Sequence, residues 1–296
     1  MDVRQLHLLR ELAERGSLTA VAAALHLSPS AVSQQLSALQ RTIPTPLTEK
    51  RGRRLALTPA GHALADAAVD VAAALDRAER AVGDHLDSLT VPVRISAFHS
   101  AALAWFGPLL RAVAAAGGPP LHCSDHDVAQ HEFPRLIADH DLVIAHRPET
   151  GPPWPGRSVR TTHLLLEPMH VAHATGHPLA RQRVLGVGDV AGQRWISVHD
   201  GYPLTGALDA VAVAARRPLH IAHHINEFFV AADIVATGDA IALLPARTTR
   251  PDPRIVLRPL ADLEVHRSID VLARPEALTR RGVHDVLTLL RAIATP

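Results

Sequence analysis

Two short apolar stripes, each with the spacing of one helical face, open the chain. The first, Leu6–Ala13, is followed by Gly16, a residue that commonly ends helices. The second, Leu18–Leu25, follows Ser17, and serine caps helix N-termini by accepting a backbone hydrogen bond. The pattern therefore predicts two short helices joined by a tight turn.

A third stripe predicts a helix with a thin polar outer face. Ser28 is its expected N-cap and Pro29 its first residue, and Val32, Leu36 and Leu39 form its apolar side. The opposite face carries mainly small polar side chains: Ser30, Ser33, Gln34, Ser37, Arg41. Helices two and three together are typical of a helix-turn-helix that binds DNA. The alternative is an ordinary three-helix core with a solvated serine–glutamine face.

The next segment, "LTEKRGRRLALT", predicts a β-hairpin. Gly52 supplies the turn, and Leu55 and Leu57 alternate with Arg54 and Ala56 as in a strand. Four basic residues lie at its tip: Lys50, Arg51, Arg53, Arg54. Such a charge run is usually a solvated face. Directly after a candidate recognition helix, it favours contact with DNA phosphates or the minor groove.

A long helix is predicted after the hairpin, with Thr58 as N-cap and Pro59 as first residue. Its apolar positions recur at spacings of four and three: Leu64, Ala68, Val71, Leu75, Ala78, Val82. This seam favours pairing with a second chain as a coiled coil. The alternative is a surface helix that packs on its own domain.

From Val91 onward, strand-like and helix-like segments alternate, which predicts an α/β body. Ligands of open α/β sheets bind outside the carboxyl ends of the strands. The candidate ligand-binding residues at these positions are His99, Ser100, His126, Asp127, His199, Asp200, Tyr202, Asn226, Glu227, Phe229. Ser100 is the leading candidate, at an expected helix N-cap, although a plain capping role would explain it equally. The acidic candidates favour a cation and helix N-termini favour an anion, so the sign of the ligand's charge stays open.

Length and charge suggest a two-part chain. The 296 residues are enough for about two domains, and 47% hydrophobic with 20% charged residues is typical of a globular protein. Residues 1–58 contain eight basic and four acidic residues, against a net charge of +1 for the whole. A basic N-terminal segment on a mildly acidic body is typical of a nucleic-acid-binding module fused to another domain. No long apolar run or secretory signal is seen, so we expect no membrane span and a cytoplasmic protein.

The sequence gives little evidence for a metal site or for an enzyme active site. Cys123 is the single cysteine, which excludes an intrachain disulfide and a Cys-rich zinc site. Histidine-rich stretches at "HCSDHDVAQH" and "HIAHH" could bind a metal effector, but the predicted strands do not put three donors on one face. No nucleophile, phosphate-loop or zinc-protease motif occurs. We therefore expect no metal, no cofactor and no catalysis; the competing class is an enzyme that carries a DNA-binding module.

The segments "GSLTAVAAALHLSPSAVSQQLSALQ" and "RGRRLALTPAG", followed by a long helix, resemble the LysR-type transcriptional regulators. Ala31, Val32 and Ser33 match a tripeptide common in the family's recognition helix, and "LTPAG" matches the end of its wing. "HATGHPLA" and "VATGDAIALLPA" are similar to recurrent segments of its effector domain. The chain departs from the family at Gln34, often basic, and Gln40, usually glutamate. It also departs at "TIPTPLT" before the wing and at Ala240, usually glycine.

The resemblance implies an α+β multidomain protein. It would comprise a winged helix-turn-helix (1–58), a linker and dimerisation helix (59–90) and a two-lobed, periplasmic-binding-protein-like effector domain (91–296). The first lobe would span about 91–161 and 268–296, and the second about 162–267.

The same resemblance implies sequence-specific binding to a pseudo-palindromic double-stranded DNA site, controlled by a small molecule between the lobes. Thr19 and Thr58 would join the helix and wing residues in contacting DNA, and Ser100 matches a hydroxyl the family often turns to its effector. The assembly would be a homotetramer built as a dimer of dimers, with RNA polymerase as a further candidate partner.

Overall fold

The computed structural model describes residues 1–51, 54–83, 91–154, 156 and 159–295. Three helices begin the chain: α1 (Val3–Arg15), α2 (Leu18–Ala24) and α3 (Pro29–Arg41). Gly16 ends α1 in the left-handed conformation, with φ of 71°. Ser17 Oγ accepts from the Ala20 N–H and Ser28 Oγ from the Ala31 N–H, so both predicted N-caps are confirmed.

The wing is a two-stranded antiparallel hairpin of β1 (Thr48–Arg51) and β2 (Arg54–Leu57), which confirms the predicted strands. The predicted turn residue Gly52 and the base Arg53 lie outside the described residues. Gln40 fixes the proline-containing segment that leads into the wing. Its side-chain amide donates to the carbonyls of Ile43 (3.1 Å) and Thr45 (3.0 Å) and accepts from the Leu47 N–H (2.7 Å).

These contacts connect the Gln40 side chain to the segment that leads into the wing. A carboxylate at position 40 has no N–H to donate, so only an amide can make all three hydrogen bonds that hold "TIPTPLT". Gly61 completes the same junction, since a Cβ there would lie 2.0 Å from the Leu47 carbonyl oxygen. The wing's entry is therefore set by backbone contacts specific to this sequence.

Helix α4 (Pro59–Gly83) runs from the wing toward the effector domain. Thr58 caps it, since its Oγ1 accepts from the Gly61 N–H at 3.1 Å. The beginning of α4 packs on its own domain, because Ala65, Ala68 and Val69 are buried and α4 lies against α1. Further along, Leu75 is 40% exposed. The first part of the predicted seam is thus used within the chain.

The first lobe is a sheet in the order β4–β3–β5–β11–β6. Its strands are β3 (Val93–Ala97), β4 (Leu121–Asp125), β5 (Leu142–Pro148), β6 (Arg160–Ala174) and β11 (His266–Ala273). Strands β3, β4 and β5 are parallel, and β11 is antiparallel to β5 and β6. Helices α5 (His99–Ala115) and α9 (Arg281–Ala294) bury the apolar core, and Gln130–Ala138 forms a 3₁₀ helix.

The second lobe is built on the far half of β6. Strands β9 (Ile241–Pro245) and β10 (Ile255–Arg258) pair with it antiparallel, and β7 (Arg194–Ser197) and β8 (His220–His224) extend the sheet in parallel from β9. Helices α6 (Val187–Val190), α7 (Thr205–Ala215) and α8 (Phe228–Ala236) pack against this sheet. Two further 3₁₀ turns span Pro178–Arg181 and Ala277–Thr279.

Two strands connect the lobes. Strand β6 pairs with β11 up to Pro168 and with β9 from Met169, so the outward crossing lies further along the chain than the expected boundary near residue 161. The return crossing enters β11 at His266, slightly before the expected residue 268. The expected boundaries were displaced because β6 is one continuous strand that serves both sheets.

Charged side chains join α1 to the first lobe, and we call this set the α1 joint. Glu11, 2% exposed, accepts from Arg274 at 2.8 Å and from Arg15 at 2.5 Å. Arg15 also pairs with Asp139 at 3.0 Å. The remaining pairs join Arg10 to Glu14 and Glu276, and Arg274 to Glu14. The N-terminal domain and the first lobe are thereby held together.

Candidate DNA-binding surface and interlobe cleft

Helix α3 presents the face that the sequence predicts for DNA. Val32, Leu36 and Leu39 are buried in the core of the N-terminal domain, as expected. The candidate residues on the other side are exposed: Ser28, Pro29, Ser30, Ser33, Gln34, Ser37, Arg41. Thr19 on α2 is also exposed. Serine and glutamine side chains of this kind can hydrogen-bond to base edges, and glutamine can pair with adenine through both of its amide atoms.

Positive charge lies beside this face rather than on its centre. Arg41 ends α3, and Lys50 is exposed on β1. The backbones of Arg51 and Arg54 are directly paired at the end of the hairpin, whereas Arg53 lies outside the described residues. Thr58 is only partly exposed and its hydroxyl is engaged, since it donates to the Pro46 carbonyl and accepts from the Gly61 N–H. The hydroxyl hydrogen of Thr58 is therefore not free for DNA.

The two lobes of the effector domain enclose a small cavity, which we call the interlobe cavity. Its lining comes from the residues that follow strands in both lobes. The first lobe contributes Phe98, His99, Ser100, Asp127 and His146; the second contributes Val198, Tyr202, Pro203, Asn226, Glu227 and Phe228. Its volume is about 20 Å³, room for about one water molecule. The expectation that polar groups gather at strand ends is met for His99, Ser100, Asp127, Tyr202, Asn226 and Glu227.

One imidazole bridges the lobes across this cavity. His99 Nε2 lies 2.7 Å from Asp125 Oδ2 in its own lobe, and His99 Nδ1 lies 2.6 Å from Glu227 Oε2 in the other. Asp127 stands beside them, and burial raises the pKa of its carboxyl group. Glu227 also caps α8, because its Oε1 accepts from the Phe229 N–H. Contact between the lobes thus depends on charged groups around a single histidine.

Behind the cavity, a buried ion pair ties the two crossing strands together. Arg267 and Glu167 are directly opposite in the register of β11 and β6, and both side chains are 0% exposed. Arg267 Nε donates to Glu167 Oε2 at 2.9 Å, and Nη2 donates to Ser100 Oγ (3.1 Å) and Thr248 Oγ1 (2.7 Å). Glu167 also accepts from the Thr248 N–H at 2.6 Å. Arg267 therefore contacts groups of both lobes at the crossing.

His146 is the second histidine of the cavity. It lies at the end of β5, 5% exposed, between the rings of Phe98 and Phe133. Burial lowers its pKa well below the usual value, with Arg267 acting in the same direction, so the ring is neutral. Its Nδ1 is buried without a hydrogen-bond partner among the described residues. Such a group is costly in an apolar setting unless a ligand or water meets it.

Several predicted candidates differ from expectation in their local role or in their position. Ser100 is not an N-cap, because α5 begins at His99 and its cap is Phe98, which has no side chain able to accept. His126 turns away and bonds Ser96 at 2.9 Å. His199 and Asp200 are exposed and do not line the cavity. Their loop is shaped instead by the His199 N–H, which donates to Asn226 Oδ1 at 2.8 Å.

Phe229 lines a different cavity of the second lobe, here called the side cavity, with a volume of about 440 Å³. It runs along α8 and the segment Thr248–Arg254, and only Ser100 and Phe228 border both cavities. Arg254 on its wall pairs with Asp252 (2.7 Å) and Asp233 (2.9 Å). Its size is within the range of small-molecule sites.

The cavity-lining residues missed from the sequence are Phe98, His146, Val198, Pro203 and Phe228, and the pair Arg267 and Glu167 behind the cavity was missed as well. Phe98 and His146 stand at the ends of apolar strands, where only the rule about strand ends could have suggested them. Arg267 and Glu167 carry no local signal, since they meet only through strand pairing. In the described part of the chain, no three His, Cys, Asp or Glu side chains are grouped so that they could hold a metal ion.

Comparison with known proteins decides the family. Residues 3–62 match "Bacterial regulatory helix-turn-helix protein, lysR family", and residues 87–294 match "LysR substrate binding domain". The chain belongs to the LysR family of bacterial transcriptional regulators. The family's members are regulators rather than enzymes. Within the described ranges, no helix of this LysR-family chain is long and apolar enough to cross a membrane.

Individual relatives are distant but similar over nearly the whole length. The DNA-binding transcriptional dual regulator OxyR of Escherichia coli (strain K12) is 23% identical, covering 99% of this chain and 95% of the relative. A full-length OxyR variant from Pseudomonas aeruginosa has a similar fold, with a TM-score of 0.66, 18% identity and coverage of 98% of both chains. Full-length CbnR complexed with its target DNA gives a TM-score of 0.55 at 19% identity, covering all of both chains.

Proposed function

We propose that this LysR-family protein binds a specific DNA site through α3 and the wing, under the control of a small molecule held in the interlobe cavity. The observation that carries the proposal is the cavity itself. Polar side chains from both lobes converge there, and His146 Nδ1 is buried in its wall without a partner among the described residues. A ligand that contacts both lobes would change how they close, which is the usual route of control in hinged domains.

In this proposal affinity and specificity for DNA reside in different elements. Ser30, Ser33, Gln34 and Ser37 face the bases, because they are exposed on an α3 face that carries no charge until Arg41. The basic side chains of the wing contact the DNA phosphates or the minor groove. Thr19 contacts the backbone from α2. The domain division 1–58, 59–90 and 91–296 is retained, with the lobe boundaries moved to the crossings of β6 and β11.

We further propose that α4 pairs two chains through its later turns. Leu64 packs in the core of its own domain and Ala68 is buried within the chain, so neither is free for a partner. Val71 is partly exposed and Leu75 is exposed, and Ala78 and Val82 continue the same spacing. Such pairing suits a pseudo-palindromic site. A dimer of dimers, contact with RNA polymerase and residence in the cytoplasm complete the proposal.

The α1 joint supports a specific route between the sites. Because α1 is ion-paired to the first lobe, the DNA-binding domain and that lobe would move as one body. The second lobe is connected only through the two crossings and the contacts of the cleft, as far as the described residues show. Effector binding would then shift the second lobe against this body, and the contacts between chains would carry the change to the DNA.

The DNA role is tested by selecting binding sites from random DNA with wild-type protein and the Gln34→Ala variant. We expect the variant to lose preference at one base position, by about 1–3 kcal/mol, because a bidentate contact to a base is removed. Gln35→Ala, an exposed neighbour on α3, serves as the matched control. An unchanged site preference would remove Gln34 from the recognition face.

The effector role is tested by a thermal-shift screen of metabolites against wild type and His146→Ala. A ligand of the interlobe cavity should stabilise wild type and lose most of that effect in the variant, because it no longer meets Nδ1. Hits that are equally strong on both proteins would place the effector elsewhere.

A further inference from the structure

We propose that the interlobe cavity binds a compact organic cation, with an ammonium or guanidinium head group. His99 now contacts the carboxylate oxygens that this cation would contact. The inference rests on the proposed effector role of the cavity and names the chemical class of the ligand. It is drawn from the charges, the aromatic walls and the unpartnered polar group of the cavity.

Negative charge dominates the lining. Asp127 from the first lobe and Glu227 from the second both face the cavity, and Asp125 adjoins it through His99. Burial raises the pKa of Asp127, His99 and Arg267 lower it, and Glu227 raises it, so the carboxylates of Asp127 and Glu227 repel each other. Among the described lining residues there is no lysine or arginine. A cation between the lobes would relieve this repulsion, whereas an anion would add to it.

Arg267, the nearest arginine, does not reverse this balance. It is 0% exposed, pairs with Glu167 across the two crossing strands and does not line the cavity. Ser100 stands between them and accepts from Arg267 Nη2. Arg267 acts on Asp127 and lowers the pKa of that carboxyl group, but its pairing with Glu167 offsets its charge, so the charged groups that line the cavity itself are carboxylates.

The walls of the cavity are suited to a cation. Phe98, Tyr202 and Phe228 line it, and aromatic faces attract cations that come within about 6 Å of the ring. Two of these rings already make such a contact, because the Arg267 guanidinium carbon lies 4.9 Å from the centre of Phe98 and 5.5 Å from that of Phe228. A ligand cation in the cavity would contact the same aromatic set.

His146 provides the observation that is independent of charge. Its buried Nδ1 has no partner among the described residues, and its ring lines the same cavity. Being neutral, it can hydrogen-bond a ligand N–H without repelling a cation.

The present volume of about 20 Å³ limits what enters without movement to a group the size of a water molecule. Because His99 is partly exposed and lies within ion-pair distance of Asp125 and Glu227, its displacement would free two carboxylates and enlarge the space at once. The ligand cation would thereby take the place of the imidazole that bridges the lobes.

The experiment is titration calorimetry of full-length protein with agmatine and choline, and with succinate as the anionic counterpart. We expect the cations to bind and succinate to give no heat. Glu227→Gln and Asp127→Asn should weaken cation binding by about tenfold or more, since each removes one charge of a desolvated pair. Glu227→Gln retains a side-chain oxygen that can cap α8, and thermal unfolding verifies that both variants are folded. Asp233→Asn, the same change on the exposed side of α8, is the matched control and should bind as wild type does.

His99→Ala sharpens the result. If His99 competes for the carboxylates, this variant should bind agmatine at least as tightly as wild type. Succinate binding that is lost in His99→Ala would overturn the cation inference, and so would cation binding that Glu227→Gln and Asp127→Asn leave unchanged. Absence of binding by both cations also overturns it. The effector role itself stands or falls separately, on whether the metabolite screen finds a ligand that depends on His146.

Discussion

The α1 joint and the interlobe cleft are both charge-rich contacts between separate parts of the chain, but their charges are satisfied differently. In the joint, each of Glu11, Glu14 and Arg274 has an oppositely charged neighbour within ion-pair distance. In the cleft, Asp127 has no hydrogen-bond or ion-pair partner among the described residues, and one histidine serves two carboxylates. We infer that the joint is a fixed connection and that the cleft is where the molecule can change.

The difference extends to burial. Glu11 is 2% exposed, whereas the His99 side chain is 43% exposed. A buried charge that loses its partner costs far more free energy than one that water can solvate. Substitutions that remove single contacts in the two regions should therefore change the free energy of unfolding by very different amounts.

The largest effect is expected at the crossing behind the cleft. Arg267→Ala leaves Glu167 charged and fully buried, and should lower the free energy of unfolding of the effector domain by about 3–5 kcal/mol. Denaturant unfolding measures this. Arg250→Ala, an exposed arginine of the second lobe, is the control and should change stability little. A loss as small as that of the control would mean that the crossing strands are held by something other than this pair.

The next effect is expected in the joint. Arg274→Ala removes the partner that Glu11 and Glu14 share, and should cost about 2–3 kcal/mol, because a carboxylate is left buried. Arg281→Ala on α9, an exposed arginine, is the matched control. Equal stability of the two variants would contradict the description of the joint as a fixed connection.

Acid should weaken the joint in a predictable direction. Burial alone would raise the pKa of Glu11, but Arg274 and Arg15 outweigh it, so the folded pKa is lowered. The stabilisation is therefore fully present above the ordinary glutamate pKa and is lost as pH falls through the lower, folded value. Wild type should lose more stability on acidification than Glu11→Gln, as followed by urea unfolding at a series of pH values. Parallel pH profiles would show that Glu11 has an unshifted pKa.

The smallest effect is expected at His99. Its ion pairs are partly exposed, so His99→Ala should change the free energy of unfolding by less than about 1 kcal/mol. A loss comparable to that of Arg274→Ala would make the cleft as firmly held as the joint and would erase the distinction between them.

The sequence predicts the helices and strands of residues 1–58 in detail, because the signals for them are local. Ser17 and Ser28 cap the helices that follow them, and Gly16 ends the helix before, each within a few residues. In the effector domain, the positions that follow strands include His99, Asp127 and Glu227, which line the interlobe cavity; their role in binding an effector stays a prediction.

The features that the sequence could not predict depend on contacts between residues that lie far apart along the chain. Arg267 meets Glu167 only through the register of β11 on β6, and the α1 joint connects residues at opposite ends of the chain. The lobe boundary was placed too early because an apolar strand shows no sign of passing from one sheet to another. Ser100 was expected as a cap, since serine is common there, but Phe98 takes the position one residue before the helix begins.

The central claim is that the DNA-binding domain and the first lobe form one body against which the second lobe moves when the cleft is filled. Hydrogen exchange of full-length protein, measured by mass spectrometry with and without agmatine, tests it most directly. We predict added protection around residues 98–101 and 226–229, and unchanged exchange along α1 and at 274–277. Altered exchange in the α1 joint, with none in the cleft, would contradict it.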